Sequence, residues 1–520
     1  MMSFFILMGV SAVIPQGWPM FRYDQARTGF CPAVSDFSAK PRSKVEWMVW
    51  DEGDLILASP VGADFNDDGW HDVVTSSYTA GFFYPLVDVY RGDNGLRIWS
   101  SGRFASEGCY RSSPALMDVN GDNKPEVFVS HTGAGALYAL SGVDGSKLWE
   151  VPIGPDQYSS PLVREDGPEG RVYACNDAGV LYCLNPITGA VLWAHGASAG
   201  GTCYSSPSAG DVNSDGQDEI VYSCGTNLYV VSESGVELWN VSVGEDYLST
   251  VALSDKDGDG DLEMWVYCGK SGFLKVYEYG NPSPVISTFV GSIYGLGGLD
   301  WPPPPAVADV NNDGTPDAVL HHFNGVIMVN GASGSVAWNT PAQDLYGPVI
   351  MANLDLDPYL EIVVTGMPPD WGTRCKVEMY QENGSLAWQW WSEENADYHD
   401  EVEGEAILIN VDADPEYEIA AVDYSCWAVV LDNSPLQTEE DAHDRQVIFT
   451  TRGHDLYLCL PKEARVSLSV YDGSGRLTEN LYDGVLSAGD HAFNLSTQTK
   501  GVYLVVLNCE GQVRTVKVIR

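Results

Sequence analysis

The chain has 520 residues, 72 acidic against 27 basic, and a formal net charge of −45. Such a charge repels nucleic acid and anionic membranes, and the length exceeds one ordinary core unless the fold adds its core unit by unit. The 54 Gly, 29 Pro, 16 Trp and 27 Tyr favour many short strands joined by tight turns.

In chain order, residues 1–17 open with an apolar run from Met1 to Ile14, about the length of a signal peptide and too short to span a bilayer. We read it as an export signal, although no Lys or Arg begins it, and no later segment reads as transmembrane. From about residue 52 to residue 433 one unit recurs: small residues, an acidic turn, an apolar strand, a Gly turn, a second strand, another Gly turn and a Trp-bearing strand. The stretch Ser112-Ser-Pro-Ala-Leu-Met-Asp118 … Glu126-Val-Phe-Val … Gly135-Ala-Leu-Tyr … Gly145-Ser-Lys-Leu-Trp149 shows it in full. Acidic turns begin at Asp64, Asp118, Asp211, Asp255, Asp309, Asn353 and Asn410, with a degenerate turn near Glu165. Spacings of about 44 to 57 residues suit four-stranded propeller blades.

The expected fold is therefore all-β: an eight-bladed β-propeller over residues 18–433, or a seven-bladed one if the degenerate third unit is not a full blade. Trp99, Trp149, Trp193, Trp239, Trp338 and Trp388 mark fourth strands, and Val285–Phe289 replaces that strand in the fifth unit. The eighth unit stops after about three strands, while an extra Trp strand, Lys44–Trp50, precedes the first. Pairing that strand into the last blade closes the ring and hides its edges.

The acidic turns carry a metal-binding pattern. Five read D-x-[DN]-x-[DN]-[GN]-x-x-[DE]: Asp64, Asn66, Asp68, Asp72; Asp118, Asn120, Asp122, Glu126; Asp211, Asn213, Asp215, Glu219; Asp255, Asp257, Asp259, Glu263; and Asp309, Asn311, Asp313, Asp317. Two begin with Asn: Asn353, Asp355, Asp357, Glu361 and Asn410, Asp412, Asp414, Glu418. Positions one, three and five aim oxygens at one point, and position nine brings a carboxylate from the next strand, which suits a hard cation such as Ca²⁺. No Cys or His recurs in the loops, which argues against zinc. Pro358 and Pro415 stand at position six of the last two loops, where Pro cannot take positive φ, so metal is expected there less than in the other five. The degenerate turn, Arg164 to Glu169, is expected to bind none.

These loops and strands resemble the FG-GAP/VCBS repeats of integrin-like calcium propellers, over about 380 residues. Trp18-Pro-Met-Phe-Arg-Tyr-Asp-Gln-Ala-Arg-Thr-Gly29 and Gly179-Val-Leu-Tyr-Cys-Leu-Asn-Pro-Ile-Thr-Gly-Ala-Val-Leu-Trp193 also resemble PQQ-like propellers, a family of quinoprotein dehydrogenases and non-catalytic scaffolds. The dehydrogenases use a vicinal Cys-Cys pair that this chain lacks. Residues 434–446 read as a polar, acidic linker. Residues 447–520 alternate as strands and are expected to form a small Ig-like β-sandwich. Val470-Tyr-Asp-Gly-Ser-Gly-Arg-Leu477, Ala488-Gly-Asp-His491, Gly501-Val-Tyr503 and the basic, apolar terminus resemble a type IX secretion sorting domain, which implies the secretion machinery as a partner and the bacterial outer-membrane surface as destination.

No serine-hydrolase, zinc-protease or P-loop motif is present, and His71, His321, His322 and His399 are scattered. Tyr110, Tyr158, Tyr204, Tyr247, Tyr294, Tyr346 and Tyr398 precede first strands; they either pack between blades or form an aromatic rim that binds a ligand. Of the eleven cysteines, Cys175, Cys224 and Cys268 end equivalent strands and read as small buried residues, while one or two disulfides remain open. The expected function is a secreted or cell-surface, non-enzymatic binding or adhesion module for a glycan or extracellular protein. The alternatives are a polysaccharide lyase, with His399 as the one candidate base, and a periplasmic scaffold.

Overall fold

A computed structural model describes residues 17–48, 58–77, 87–101, 111–293, 301–366, 376–391, 404–433, 448–494 and 502–519, apart from short interruptions within these ranges. The described residues form two compact units, one ending at Asn433 and one beyond it. The expected export signal and linker lie outside the described residues.

Among the described residues, the first unit contains eight sheets, each built on an antiparallel meander. The degenerate third unit forms a complete sheet from Leu162–Arg164, Arg171–Cys175, Val180–Leu184 and Val191–Gly196. The eighth is built from Ile407–Ile409, Glu418–Val422 and Trp427–Asp432, and its fourth strand is Arg42–Met48. The early strand thus completes the last sheet, as its surplus Trp pattern predicts. The seventh sheet gains a fifth strand, Phe30–Val34, parallel to Ile350–Asn353.

Three devices join the sheets. Inner strands are short and wholly apolar or small, such as Ala115–Met117 and Ile407–Ile409, and pack against their neighbours. Backbone N–H groups just before an inner strand donate to a hydroxyl of the next sheet: Glu405 to Ser59, Ser59 to Ser113, Ser113 to Ser160, Ser160 to Ser206 and Ser206 to Thr250, at 2.8–3.0 Å. This chain of bonds links the eighth sheet to the first and runs on to the fifth. It explains the recurring Ser-Ser-Pro: the second Ser is an acceptor for its neighbour's backbone.

The third device is the tryptophans. Trp99, Trp149, Trp193 and Trp338 each donate the indole N–H to a turn carbonyl of the next sheet, that of Gly142, Pro186, Glu233 and Glu382, at 2.7–2.8 Å. Each ring lies on a glycine of that turn. A Cβ on Gly145, Gly189, Gly235 or Gly384 would stand 2.6–2.8 Å from the ring. In the fifth sheet Ile286 takes the indole's place against Gly334. The period of Trp and Gly in the sequence is thus one repeated inter-sheet joint.

The second unit has two antiparallel sheets. One is formed by Ile448–Arg452, Asp455–Leu460 and Gly489–Asn494, the other by Leu477–Leu486, Ala464–Asp472, Val502–Cys509 and Gln512–Ile519. Leu458 of the first joins Val466, Leu468, Val470, Val505 and Leu507 of the second in one core.

Candidate functional site: an axial segment and a set of acidic loops

Residues 18–29 run across the inner strands of the first unit. The carbonyls of Trp18, Pro19, Gln25, Ala26, Thr28 and Gly29 accept N–H bonds from Gly62, Leu116, Ala209, Leu253, Val307 and Met351, at 2.7–2.9 Å. These donors lie on the inner strands of sheets one, two, four, five, six and seven. Two arginines reach the remaining sheets. The backbone N–H of Arg22 donates to Glu405 Oε1 beside the eighth sheet (2.6 Å), and its guanidinium pairs with Glu405 Oε2 (3.2 Å) and Pro305 O (3.1 Å). The Arg27 guanidinium donates to Pro207 O (3.0 Å) and, beside the third sheet, to Pro161 O (2.9 Å). Arg22, Arg27 and Glu405 are all fully buried. Burial pulls both guanidinium pKa values down and pushes that of Glu405 up, with the ion pair opposing it. Gly29 is obligatory, because a Cβ there would fall 2.1 Å from the Arg22 guanidinium. The sequence shows this segment as a motif but gives no sign of its partners, which lie up to 383 residues away.

The acidic loops share one architecture. In the first, Asp64 accepts from the N–H groups of Asn66, Asp67 and Gly69, and Asp72 Oδ2 accepts from Phe65 (2.8 Å). Position nine is buried in every loop: Asp72, Glu126, Glu219, Glu263, Asp317, Glu361 and Glu418 are at most 2% exposed. Burial raises these carboxyls, with neighbouring loop carboxylates adding to the effect: Glu126, Glu219 and Glu263 to about 7, Asp72 and Glu361 to about 8, Asp317 to about 6. Position four is left-handed in six loops, at Asp67, Gly121, Ser214, Gly258, Asn312 and Leu356, with φ between 56° and 79°.

The loops differ in what faces the buried acid. In the first three loops the amide of the position-three Asn donates to position nine: Asn66 to Asp72 (3.2 Å), Asn120 to Glu126 (2.8 Å) and Asn213 to Glu219 (2.8 Å). Arg91 also pairs with Asp68 at 2.9 Å. In the fifth loop Asn330 donates to Asp313 and Asp317, both at 3.1 Å. Where position three is Asp, no such amide exists. Among the described residues, three groups place carboxylate oxygens within 4.8 Å of one another: Asp255, Asp257 and Asp259; Asp355, Asp357 and Glu361; Asp412, Asp414 and Glu418. Two of these belong to the Pro-containing loops that the sequence ranks lower. The sixth loop keeps the left-handed residue at position four, Leu356 (φ 68°), while Pro358 at position six has no positive φ. The degenerate third turn has a guanidinium instead of an acid cluster, with Arg164 Nη2 2.7 Å from Asp218.

Of the tyrosines, Tyr158 and Tyr204 are half-buried, Tyr247 and Tyr346 are buried, and Tyr110, Tyr294 and Tyr398 lie outside the described residues. Tyr158, Tyr204 and Tyr247 pack in series, with ring centroids 4.9 and 5.0 Å apart. His321 is fully buried and its pKa is lowered by that burial to about 3, while His71 accepts the Asn410 N–H at 2.9 Å. His399 lies outside the described residues. Cys203 and Cys224 form a disulfide, a pairing that spacing alone does not reveal, while Cys175 and Cys268 are buried and free. Among the described residues, no helix is long and apolar enough to cross a membrane.

A family model described as outer membrane protein assembly factor BamB, PQQ_2, matches residues 86–256. The outer membrane protein assembly factor BamB of Moranella endobia (strain PCIT) is 25% identical over 133 residues, which is 25% of this chain and 33% of that protein. The match therefore spans about a third of the relative's length. Three solved structures share the fold at low identity. The quinohemoprotein alcohol dehydrogenase from Comamonas testosteroni has a TM-score of 0.55 at 12% identity, covering 80% of both chains. A europium-containing methanol dehydrogenase has 0.56 at 11%, covering 78% of this chain and 89% of that one. Saccharomyces cerevisiae Sqt1 has 0.53 at 11%, covering 75% and 99%. The chain thus carries BamB-like PQQ_2 repeats on a β-propeller-like fold.

Proposed function

We propose that this chain is an extracytoplasmic, non-enzymatic propeller of eight blades that serves as a docking scaffold in envelope assembly. The observation that carries this reading is the BamB-like repeat match over residues 86–256. The axial segment supports it: residues 18–29 occupy the inner strands' hydrogen-bonding groups, which leaves loops and outer strands for partners. The scaffold reading stands ahead of adhesion for that reason. The experiment is deletion of the gene in its host, followed by measurement of outer-membrane β-barrel protein levels. A fall that the full-length gene restores supports the scaffold. Unchanged levels sink it.

A second reading, surface binding of a glycan, is favoured by the half-buried Tyr158 and Tyr204 stacked in series. Under it the second unit is a type IX sorting module that delivers the propeller to the cell surface. Binding of purified protein to a polysaccharide array, lost in Tyr158→Ala/Tyr204→Ala, supports this second role.

Under either reading the acidic loops hold calcium. The donor set is oxygen only, as a hard cation takes, and three loops each bring three carboxylate oxygens within 4.8 Å of one another, which supports this reading. The residues that would hold it are Asp255, Asp257 and Asp259; Asp355, Asp357 and Glu361; and Asp412, Asp414 and Glu418. The ion would neutralise carboxylates that otherwise repel and would pin each loop to its sheet.

A further inference from the structure

The sixth acidic loop, Asn353 to Glu361, sits where the chain's N-terminal part enters the first unit. Phe30–Val34 lies parallel to Ile350–Asn353. Beyond it, Ser35 N–H donates to Asn353 O (3.0 Å) and Phe37 N–H donates to Leu354 O (2.6 Å). Asp36 bridges Asp355. On its other side this strap reaches the next loop: Asp36 N–H to Glu416 (3.3 Å) and Ser35 Oγ–H to Tyr417 O (2.9 Å). Trp388, which in other sheets would meet the next sheet's turn, donates to Phe37 O instead (2.8 Å). Phe37 is fully buried. The strap thus stands in for the turn that the three-stranded start of the eighth sheet lacks, and the closing strand Arg42–Met48 follows it directly.

Glu361 connects this seam to the acid cluster. Its Oε2 accepts the Leu354 N–H at 2.6 Å, on the same residue whose carbonyl holds Phe37. Its Oε1 is buried with no hydrogen-bond partner, although the residue is fully buried. A carboxylate oxygen of Glu361 lies within 4.8 Å of carboxylate oxygens of Asp355 and Asp357. A buried carboxylate oxygen without a partner is costly. In loops one to three an asparagine amide fills the equivalent place; here Asp355 stands at position three and offers another carboxylate.

We infer that a calcium ion held by Asp355, Asp357 and Glu361 is the latch of the ring, fixing the backbone of Asn353 to Asp355 on which the N-terminal strap and the closing strand depend. The inference rests on the calcium reading above and adds a location and a consequence. Removing the ion loosens residues 30–48 first, ahead of the rest of the unit, because among the described residues no side-chain amide or guanidinium donates to Glu361.

The test is hydrogen exchange by mass spectrometry on the full chain, in calcium and in chelator, with bound ions counted by native mass spectrometry. Chelation is expected to speed exchange in peptides covering 30–48 and 350–366 by about tenfold, and in 126–140 by less than about twofold. Glu361→Gln, which keeps an acceptor for Leu354, should show the fast seam even in calcium. Asp357→Asn provides a second variant at the exposed side of the cluster, and Asp257→Asn, in the fourth loop, should leave the seam slow. Ions bound with no change at 30–48 would overturn the latch and leave the calcium reading standing. No bound ion at all would overturn both.

Discussion

The glycine under each tryptophan offers a quantitative check on how the sheets are joined. Gly235 and Gly280 both lie in turns between third and fourth strands, with φ of 84° and 77°. A Cβ on Gly235 would lie 2.7 Å from Trp193 Cδ2 and 2.8 Å from Cγ, whereas one on Gly280 meets nothing within 4 Å. Alanine at either position costs about 1 kcal/mol for its left-handed backbone. At Gly235 the ring must also move or the indole bond to Glu233 O must lengthen, and overpacking of this kind adds about 1–3 kcal/mol. For a unit made of Met1–Val49 and Asp54–Asn433, the unfolding entropy is about 0.9 kcal/mol/K near the midpoint. Gly280→Ala should therefore lower Tm by about 1 °C and Gly235→Ala by about 2–4 °C. The assay is calorimetry of the full chain with calcium held constant. Equal shifts for the two variants would refute the joint, since the backbone term alone would then account for both.

Asn120→Asp replaces the amide that donates to Glu126 by a fourth carboxylate beside Asp118, Asp122 and Glu126. It should destabilise the calcium-free protein and add a bound ion in calcium, read by native mass spectrometry and thermal shift. The pH dependence has a definite sign. Glu126, Glu219 and Glu263, raised by burial to about 7, and Asp72 and Glu361, raised to about 8, hold their protons more tightly folded than unfolded. Without calcium, stability should fall as pH rises from the ordinary carboxylate range, about 4, through 7–8, and calcium should flatten the part of that fall that comes from the fourth and sixth loops, with Glu263 and Glu361; denaturant midpoints across the range measure it. Arg22→Met leaves Glu405 buried without its partner and should cost about 3–5 kcal/mol, seen as a large drop in the midpoint. A smaller effect than the Gly235→Ala change would mean that residues 18–29 do not hold the inner strands.

Much of the fold is legible because it repeats. Trp at the fourth strand, Gly in the following turn and acids at positions one, three, five and nine recur, so each copy corroborates the rest. The surplus strand at Lys44–Trp50 is readable by the same count, since the eighth unit lacks one. What stays hidden is non-local or conformational. Arg22 has no local signature of Glu405. The pairing of Cys203 with Cys224 cannot be chosen from eleven cysteines. The Pro-containing loops look weak because position six draws attention, whereas the shared left-handed residue is position four, and Leu356 adopts it without any Gly or Asn to announce it. The tyrosines recur in the sequence, yet Tyr158 and Tyr204 are half-buried while Tyr247 and Tyr346 are buried, a difference that no local pattern announces.

A charge of −45 has to be reconciled with acids buried at every loop, and the chain does this in three chemically distinct ways. Loops one to three and five use amides, from Asn66, Asn120, Asn213 and Asn330. Guanidiniums serve where a cation is needed permanently: Arg91 at Asp68, Arg164 at Asp218 and Arg22 at Glu405. The fourth, sixth and seventh loops collect carboxylates instead. A permanent cation or amide gives a loop that needs no added ion, whereas on the calcium reading proposed above a carboxylate cluster makes its loop depend on one. Two of the three clusters flank the strap formed by residues 35–37. On that reading the seam between the seventh and eighth sheets gathers two of the three ion-dependent loops, and the fourth loop is the third.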